Sequence, residues 1–182
     1  MAASLTRSAD DLMVQYARYH RDRRNIATHA AGLPMIALAG IILLSRFGID
    51  VRLGDTTLVV TAAMVVATAT SIYYLLLDRA LGAALTVINI VMLFVGNRVA
   101  GLAAPVWIAS ACGLLVTGTV LQFIGHYFEG NRPAFVDDLI STLIGPLFVM
   151  AELFFLLGLR RDLQRDVEAR AGPRRAPQRP GA

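Results

Sequence analysis

The chain has 182 residues, 56% of them hydrophobic and only 16% charged, with a mean hydropathy of +0.59. Ordinary soluble domains carry about 25% charged residues, so a soluble globular domain is excluded, and the lack of short alternating segments excludes an outer-membrane barrel. The net charge of +4 rests on 17 arginines and no lysine, placed mostly towards the two ends, and it speaks for topology and anionic lipid rather than for nucleic acid.

In chain order, LTRSADDLMVQYARYHRDRRNIAT over residues 5–28 reads as a polar helix. Ser8, with Asp11 three residues on, marks its start. With about 29 polar and charged residues before the first apolar run, no cleavable leader is expected. Gly32 and Pro34 are expected to break the chain before the first span. Uncharged runs then follow over Ala30–Ser45, Thr57–Leu77, Ala80–Gly96 and Val99–Gly125, with a fifth, Leu139–Leu159, interrupted only by Glu152. A helix needs roughly 20 apolar residues to cross a bilayer core. The expectation is an all-α, polytopic helical membrane protein with four to six membrane-embedded helices and a polar N-terminal helix. Its parts are residues 1–29 as the polar helix, 30–161 as the membrane domain and 162–182 as a basic, disordered tail. The short junctions at Asp78-Arg79 and Asn97-Arg98 imply hairpins, and Pro105 belongs in a first helical turn, where its missing N–H costs nothing.

Charge orients the spans. If runs one to four cross and both ends share a side, 14 of the 17 arginines lie on that side and only Arg46, Arg52 and Arg98 lie opposite. This predicts cytoplasmic termini in a bacterial cytoplasmic membrane, with the all-arginine composition fitting a GC-rich genome. Run five must then enter and return, and Gly145-Pro146 offers the break for two half-helices. In that topology His20, His29 and His126 all reach one side.

On one straight helix His20 and His29 are nine positions, about half a turn, out of phase, so sharing one metal requires a break between them. Tyr16 and His20 share a face, as do Asn25 and His29, and as do Gln122, His126 and Glu129. Each histidine alone could equally be an interfacial anchor. Glu152 is an ionisable group inside an apolar run, either functional or hydrogen-bonded to a polar neighbour such as Asn89. Arg132 suits an interfacial turn or a substrate carboxylate. Asp137 and Asp138 suit a helix N-terminus, and Cys112 a core position. No nucleotide-binding, disulfide-exchange or nucleophile-elbow motif occurs.

Two blocks carry a resemblance. YARYHRDRRNIATHAAGLP holds the pattern H-x4-N-x3-H-x4-P, and QFIGHYFEGNRPAFVDDLISTLIGPLFVMAELFF holds GH-x2-E-x2-RPA. Together they resemble the fungal-type 2-hydroxy fatty acid dioxygenase family, first catalogued as a domain of unknown function. The resemblance reaches to about Arg161. It implies a membrane-embedded dioxygenase dependent on Fe(2+), which cleaves C1–C2 of a 2-hydroxy fatty acid with O2 to give an acid one carbon shorter. In fungi this serves breakdown of the phytosphingosine long-chain base. It implies His20, His29 and His126 as iron ligands, with Glu129 the best-placed carboxylate; beside it, the residues themselves offer Arg132 and Asn25 as candidate substrate contacts and Glu152 as a further candidate site residue. A 2-hydroxy acid chelates through its hydroxyl and carboxylate, and imidazole suits non-haem iron. A competing reading is a small lipid-binding or carrier membrane protein without redox chemistry, with a path through Glu152.

Overall fold

A computed structural model describes residues 8–130 and 140–172, leaving aside the side chains of residues 140–142. Its elements are α1 (Ala9–Arg18), α2 (Arg23–Leu44), β1 (Gly48–Leu53), β2 (Thr56–Thr61), α3 (Ala62–Leu77), α4 (Arg79–Ala100), α5 (Ala104–Glu129), α6 (Ile140–Leu156) and α7 (Arg161–Ala171). They form two compact units. One comprises Met1–Leu33 and Thr119–Ala182, the other Pro34–Gly118.

The second unit corrects the expectation of an all-α chain. Here the run Thr57–Leu77, read as one span, divides. Thr56–Thr61 pairs antiparallel with Gly48–Leu53, in the register Gly48 to Thr61 and Leu53 to Thr56. Gly54 at φ 63 opens the two-residue turn. TTLVV is rich in β-branched residues, which suit a pleated strand better than a helix. Thr61 ends the strand and caps α3, its Oγ1 accepting from the Met64 N–H at 3.3 Å. Asp78 then closes α3 and opens α4, its Oδ1 accepting from the N–H groups of Ala80 and Leu81, both at 2.9 Å. α4 comes so close to α3 that a Cβ on Gly82 would lie 2.5 Å from the Tyr74 backbone. Asn89 ties the pair by donating to Ser71 Oγ at 2.9 Å and Thr70 Oγ1 at 3.3 Å. α2, α4 and α5 are each long and apolar enough to cross a membrane, and the bent pair α6–α7 counts as a fourth if taken as one span. Their outward residues, Ile90, Phe94 and Val116 among them, are exposed hydrophobics.

In the first unit, α1 packs on α6 and α7. Ser8 caps α1 as the sequence suggests, its Oγ accepting from the Asp11 N–H at 3.2 Å. Leu12, Met13, Tyr16 and Ala17 form the buried face of α1, opposite Ile144, Leu147, Phe148 and Ala151 of α6. Pro105 falls in the first turn of α5, as expected. Two other expectations fail. Pro34 lies inside α2 and Pro146 inside α6, so neither ends its helix. The turn expected at Gly145-Pro146 comes instead after α6. The Leu159 N–H reaches Phe154 O and the Gly158 N–H reaches Phe155 O, with Gly158 at φ 73. This is a Schellman end, in which glycine takes the left-handed position that other residues resist. α7 then departs at 117°. α7 also occupies residues read as tail. Leu163 and Val167 are buried, and Arg170 pairs with Asp166 at 3.1 Å and with Asp11 of α1.

Candidate metal centre

The segment between α1 and α2 supplies the break that the histidine spacing required. Tyr19 ends α1: its N–H donates to Tyr16 O and the His20 N–H to Ala17 O, both at 3.1 Å. Asp22 opens α2, accepting from the Arg24 N–H at 2.8 Å through Oδ1 and from the Arg24 guanidinium at 2.8 Å through Oδ2. That guanidinium holds the Asp22 carboxyl below the usual carboxylate range.

Glu129, at the end of α5, holds this break in place. Its carboxylate accepts from the backbone N–H of Arg21 at 3.0 Å, that of Asp22 at 2.9 Å, and Asn25 Nδ2 at 3.0 Å. Backbone N–H groups at a helix start lack partners within the helix. A carboxylate is favoured there by the helix dipole, which offsets its awkward position at the end of its own helix. Arg21, Asp22, Asn25 and Glu129 are all buried.

With the break held, the three histidines converge. His20 comes from the connection, His29 from the second turn of α2 and His126 from the last turn of α5. Ring centroids lie 4.6 Å apart for His20 and His29, 5.2 Å for His20 and His126, and 4.9 Å for His29 and His126. One nitrogen from each ring lies within 4.8 Å of the others. Tyr16 stacks flat on His20 at 4.1 Å, and Phe148 tilts against both rings.

The tautomers follow from the partners. His20 Nδ1 lies 3.0 Å from Tyr16 O, and His29 Nδ1 lies 3.0 Å from Asn25 O. A carbonyl only accepts, so both Nδ1 atoms carry hydrogen and donate. Burial above all, with the adjacent His29 adding to it, lowers the His20 pKa to about 3, so His20 is neutral near pH 7. Its Nε2 is then a bare lone pair, facing His29 Nε2 at 3.2 Å. Two neutral rings so arranged repel through their lone pairs, and a cation between them removes the conflict. At metal–nitrogen distances of about 2.0–2.1 Å, neighbouring ligand nitrogens lie roughly 3.0–3.4 Å apart. His126 Nδ1 is buried with no hydrogen-bond partner, a third unused donor atom. Nδ1–H bonded to a carbonyl is also how metal-bound histidines are commonly oriented. The residues present therefore fit a metal ion.

The other sequence candidates divide. Asn25 faces Glu129 through its amide nitrogen, while its Oδ1 points at the Cα of Gly125. Glu129 spends its oxygens on the α1–α2 break, and the converging group that could hold a metal is His20, His29 and His126. Glu152 is buried on α6, one turn beyond Phe148. Arg132, Asp137 and Asp138 lie outside the described residues. Cys112 is exposed rather than a core residue. Sequence reasoning missed Asp22, Phe148 and the part played by Gly125. A Cβ on Gly125 would collide with Thr28 Oγ1 and Asn25 Oδ1 and lie 3.0 Å from His29 Nδ1, so only glycine lets α5 approach α2 here. The one available signal was that glycine, directly before His126.

A mostly helical chain with apolar helices, and three buried imidazoles fit for a metal, defines a candidate metalloprotein of the membrane-helix class. The chain belongs to the Mpo1-like family, described as 2-hydroxy-palmitic acid dioxygenase Mpo1-like, which matches over residues 6–157. It is similar to the 2-hydroxy-palmitic acid dioxygenase MPO1 of Saccharomyces cerevisiae, with 30% identity over 161 residues, covering 84% of this chain and 86% of the yeast protein. No solved structure matches it.

Proposed function

We propose that this chain is a membrane-embedded, Fe(2+)-dependent dioxygenase that shortens 2-hydroxy fatty acids by one carbon. The yeast relative bears the name of a 2-hydroxy-palmitic acid dioxygenase, and that activity is carried here as a proposal. The observation that supports it most is the facing pair of bare Nε2 atoms at 3.2 Å beside His126. The overall change balances with one O2: C2 rises to the carboxyl level, C1 leaves as carbon dioxide and water is released. Four electrons move from substrate to O2, so no separate reductant is needed.

Iron bound here supplies the redox chemistry of O2 and a chelation site for the hydroxy acid. The protein's own residues do the rest. The carbonyls of Tyr16 and Asn25 hold two rings in the ligating orientation. Tyr16 and Phe148 wall off His20 and keep water out. Glu129 positions His20 and His29 through the backbone, and Asn25 belongs to that brace rather than to substrate contact. Arg132 remains our candidate for a second substrate contact. The apolar exteriors of α2, α4 and α5 support membrane embedding, with the acyl chain dissolved in lipid and its head at the histidines.

The test is anaerobic purification, metal analysis and O2 uptake with a 2-hydroxy fatty acid. His29→Ala should lose iron and turnover yet insert normally, since it alters no part of the uncharged run from Ala30. Arg23→Ala keeps every proposed ligand and should retain both. If the two variants behave alike, His29 is no ligand.

A further inference from the structure

Gln122 precedes His126 by one turn of α5, so the two side chains share a face. It is only 9% exposed, and its Nε2 has no hydrogen-bond partner. A buried donor left unpaired is costly and uncommon in a native fold. Asn25 Oδ1 is also unpaired, but it is pressed against Gly125, and His126 Nδ1 belongs with the ligand set. Gln122 Nε2 has no such account.

Its place along α5 suggests one. Glu129 meets residues 21–25 of the first unit, while Gly125 meets Asn25, Thr28 and His29. Moving back along α5 therefore moves forward along α2. Gln122 lies about one turn further in that direction along α5, towards the start of the uncharged run from Ala30. That is the apolar side of the imidazole cluster, where an acyl chain would leave the site. An amide N–H can be satisfied neither by a metal ion nor by a lipid acyl chain. It needs an acceptor oxygen. Chelation of a 2-hydroxy acid uses its hydroxyl and one carboxylate oxygen, leaving the second carboxylate oxygen to be paired in a buried setting.

We propose that Gln122 anchors the substrate, its Nε2–H donating to the carboxylate oxygen that chelation leaves free. This rests on the reading of the three-histidine centre as a 2-hydroxy acid site. Gln122 is then a specificity residue for the acid head group. A site with a buried donor rejects a molecule that lacks the matching acceptor more strongly than it rejects a change in chain length.

The test uses the iron-loaded full chain, anaerobic and in detergent. Affinities are measured for a 2-hydroxy fatty acid, the unhydroxylated acid of equal length and the matching 1,2-diol. Gln122→Met keeps length and volume and removes the donor. It should weaken both acids by about 10- to 100-fold, the scale of a hydrogen bond to a charged group, and leave the diol, the iron content and the melting midpoint unchanged. In turnover the loss should appear in KM. Gln122→Glu keeps polarity but repels a carboxylate, so it should weaken both acids at least as much and spare the diol; it also serves if the Met variant fails to fold. Unchanged acid affinity, or equal loss for acids and diol, overturns the assignment. If the wild-type chain itself binds neither acid, the reading of the whole site falls and the Gln122 role falls with it. If wild type binds both and the variants match it, only the Gln122 role is lost.

Discussion

Replacing Glu129 with Ala should damage the metal centre without touching a ligand. The carboxylate satisfies three donors: the Arg21 N–H, the Asp22 N–H and Asn25 Nδ2. These residues are between 0% and 4% exposed, so no water replaces the carboxylate without a new cavity. A buried donor left without a partner costs about 1–3 kcal/mol. Three give an upper range of about 3–9 kcal/mol, and water entering the vacated space brings the expected loss to its lower half. Glu129→Gln is the informative companion. Oε2 makes the bonds to Asp22 and Asn25 and one to Arg21, while Oε1 makes only a second one to Arg21. A glutamine with its oxygen at the Oε2 position keeps an acceptor for all three donors; it loses charge assistance, about 1–2 kcal/mol, and sets its own NH2 against the Arg21 N–H where Oε1 accepted. The assay is the melting midpoint of the metal-free protein in detergent, with iron retention measured in parallel. Ala should lower both sharply, and Gln should lower them modestly. If Gln abolishes iron retention as fully as His29→Ala while the midpoint holds, Glu129 is itself a ligand and the bracing argument is wrong.

Further outcomes follow from the same geometry. Gly125→Ala places a methyl group against Thr28 and Asn25; overpacking of this kind costs about 1–3 kcal/mol, and displacement of His29 should weaken iron retention about 10-fold or more, so a variant with wild-type midpoint and iron content would refute the close approach. The metal-free protein should lose stability in acid: below 6.5 an unfolded His20 takes a proton that the folded one refuses until about pH 3. The unfolded state then binds more protons, so stability is complete above pH 6.5 and falls as pH drops towards 3. His20→Phe should flatten that slope, and melting midpoints from pH 7.5 to 5 that coincide for the two proteins would count against it. Reporter fusions near residues 3 and 175 should fall on the same side of the membrane, in line with the arginine distribution; opposite sides would mean that α6–α7 crosses.

Much of the helical architecture was legible because its signals are local. Uncharged runs mark α2, α4 and α5, Ser8 marks a cap, and Pro105 marks a first turn. The histidine periodicity even demanded a break between His20 and His29, since 3.6 residues per turn sets nine residues half a turn out of phase. What the sequence could not say is whether a proline inside an apolar run stops a helix, and at Pro34 and Pro146 it does not. Nor could it distinguish strand from helix in Thr57–Thr61, where hydropathy is the same and only pairing with Gly48–Leu53 decides. The re-entrant turn was assigned to Gly145-Pro146, but Gly145 lies within the helix against the Tyr16 and Leu33 side chains, and Gly158 makes the turn.

The site shows the same division. The two sequence blocks and the resemblance they carry named the ligand candidates, because the three imidazoles are a chemical fact of the chain. Only the tertiary structure shows which groups these side chains and their neighbours meet. Glu129 reads from sequence as the best-placed carboxylate because it shares a face with His126, yet its oxygens go to the N–H groups of a helix start more than a hundred residues away. Asn25 reads as a substrate contact and is drawn to the same carboxylate. Unpaired backbone donors are present at every helix start, and no local pattern states which distant acceptor will satisfy them. That is settled by which helices pack together, and so by where a glycine such as Gly125 lets two backbones meet.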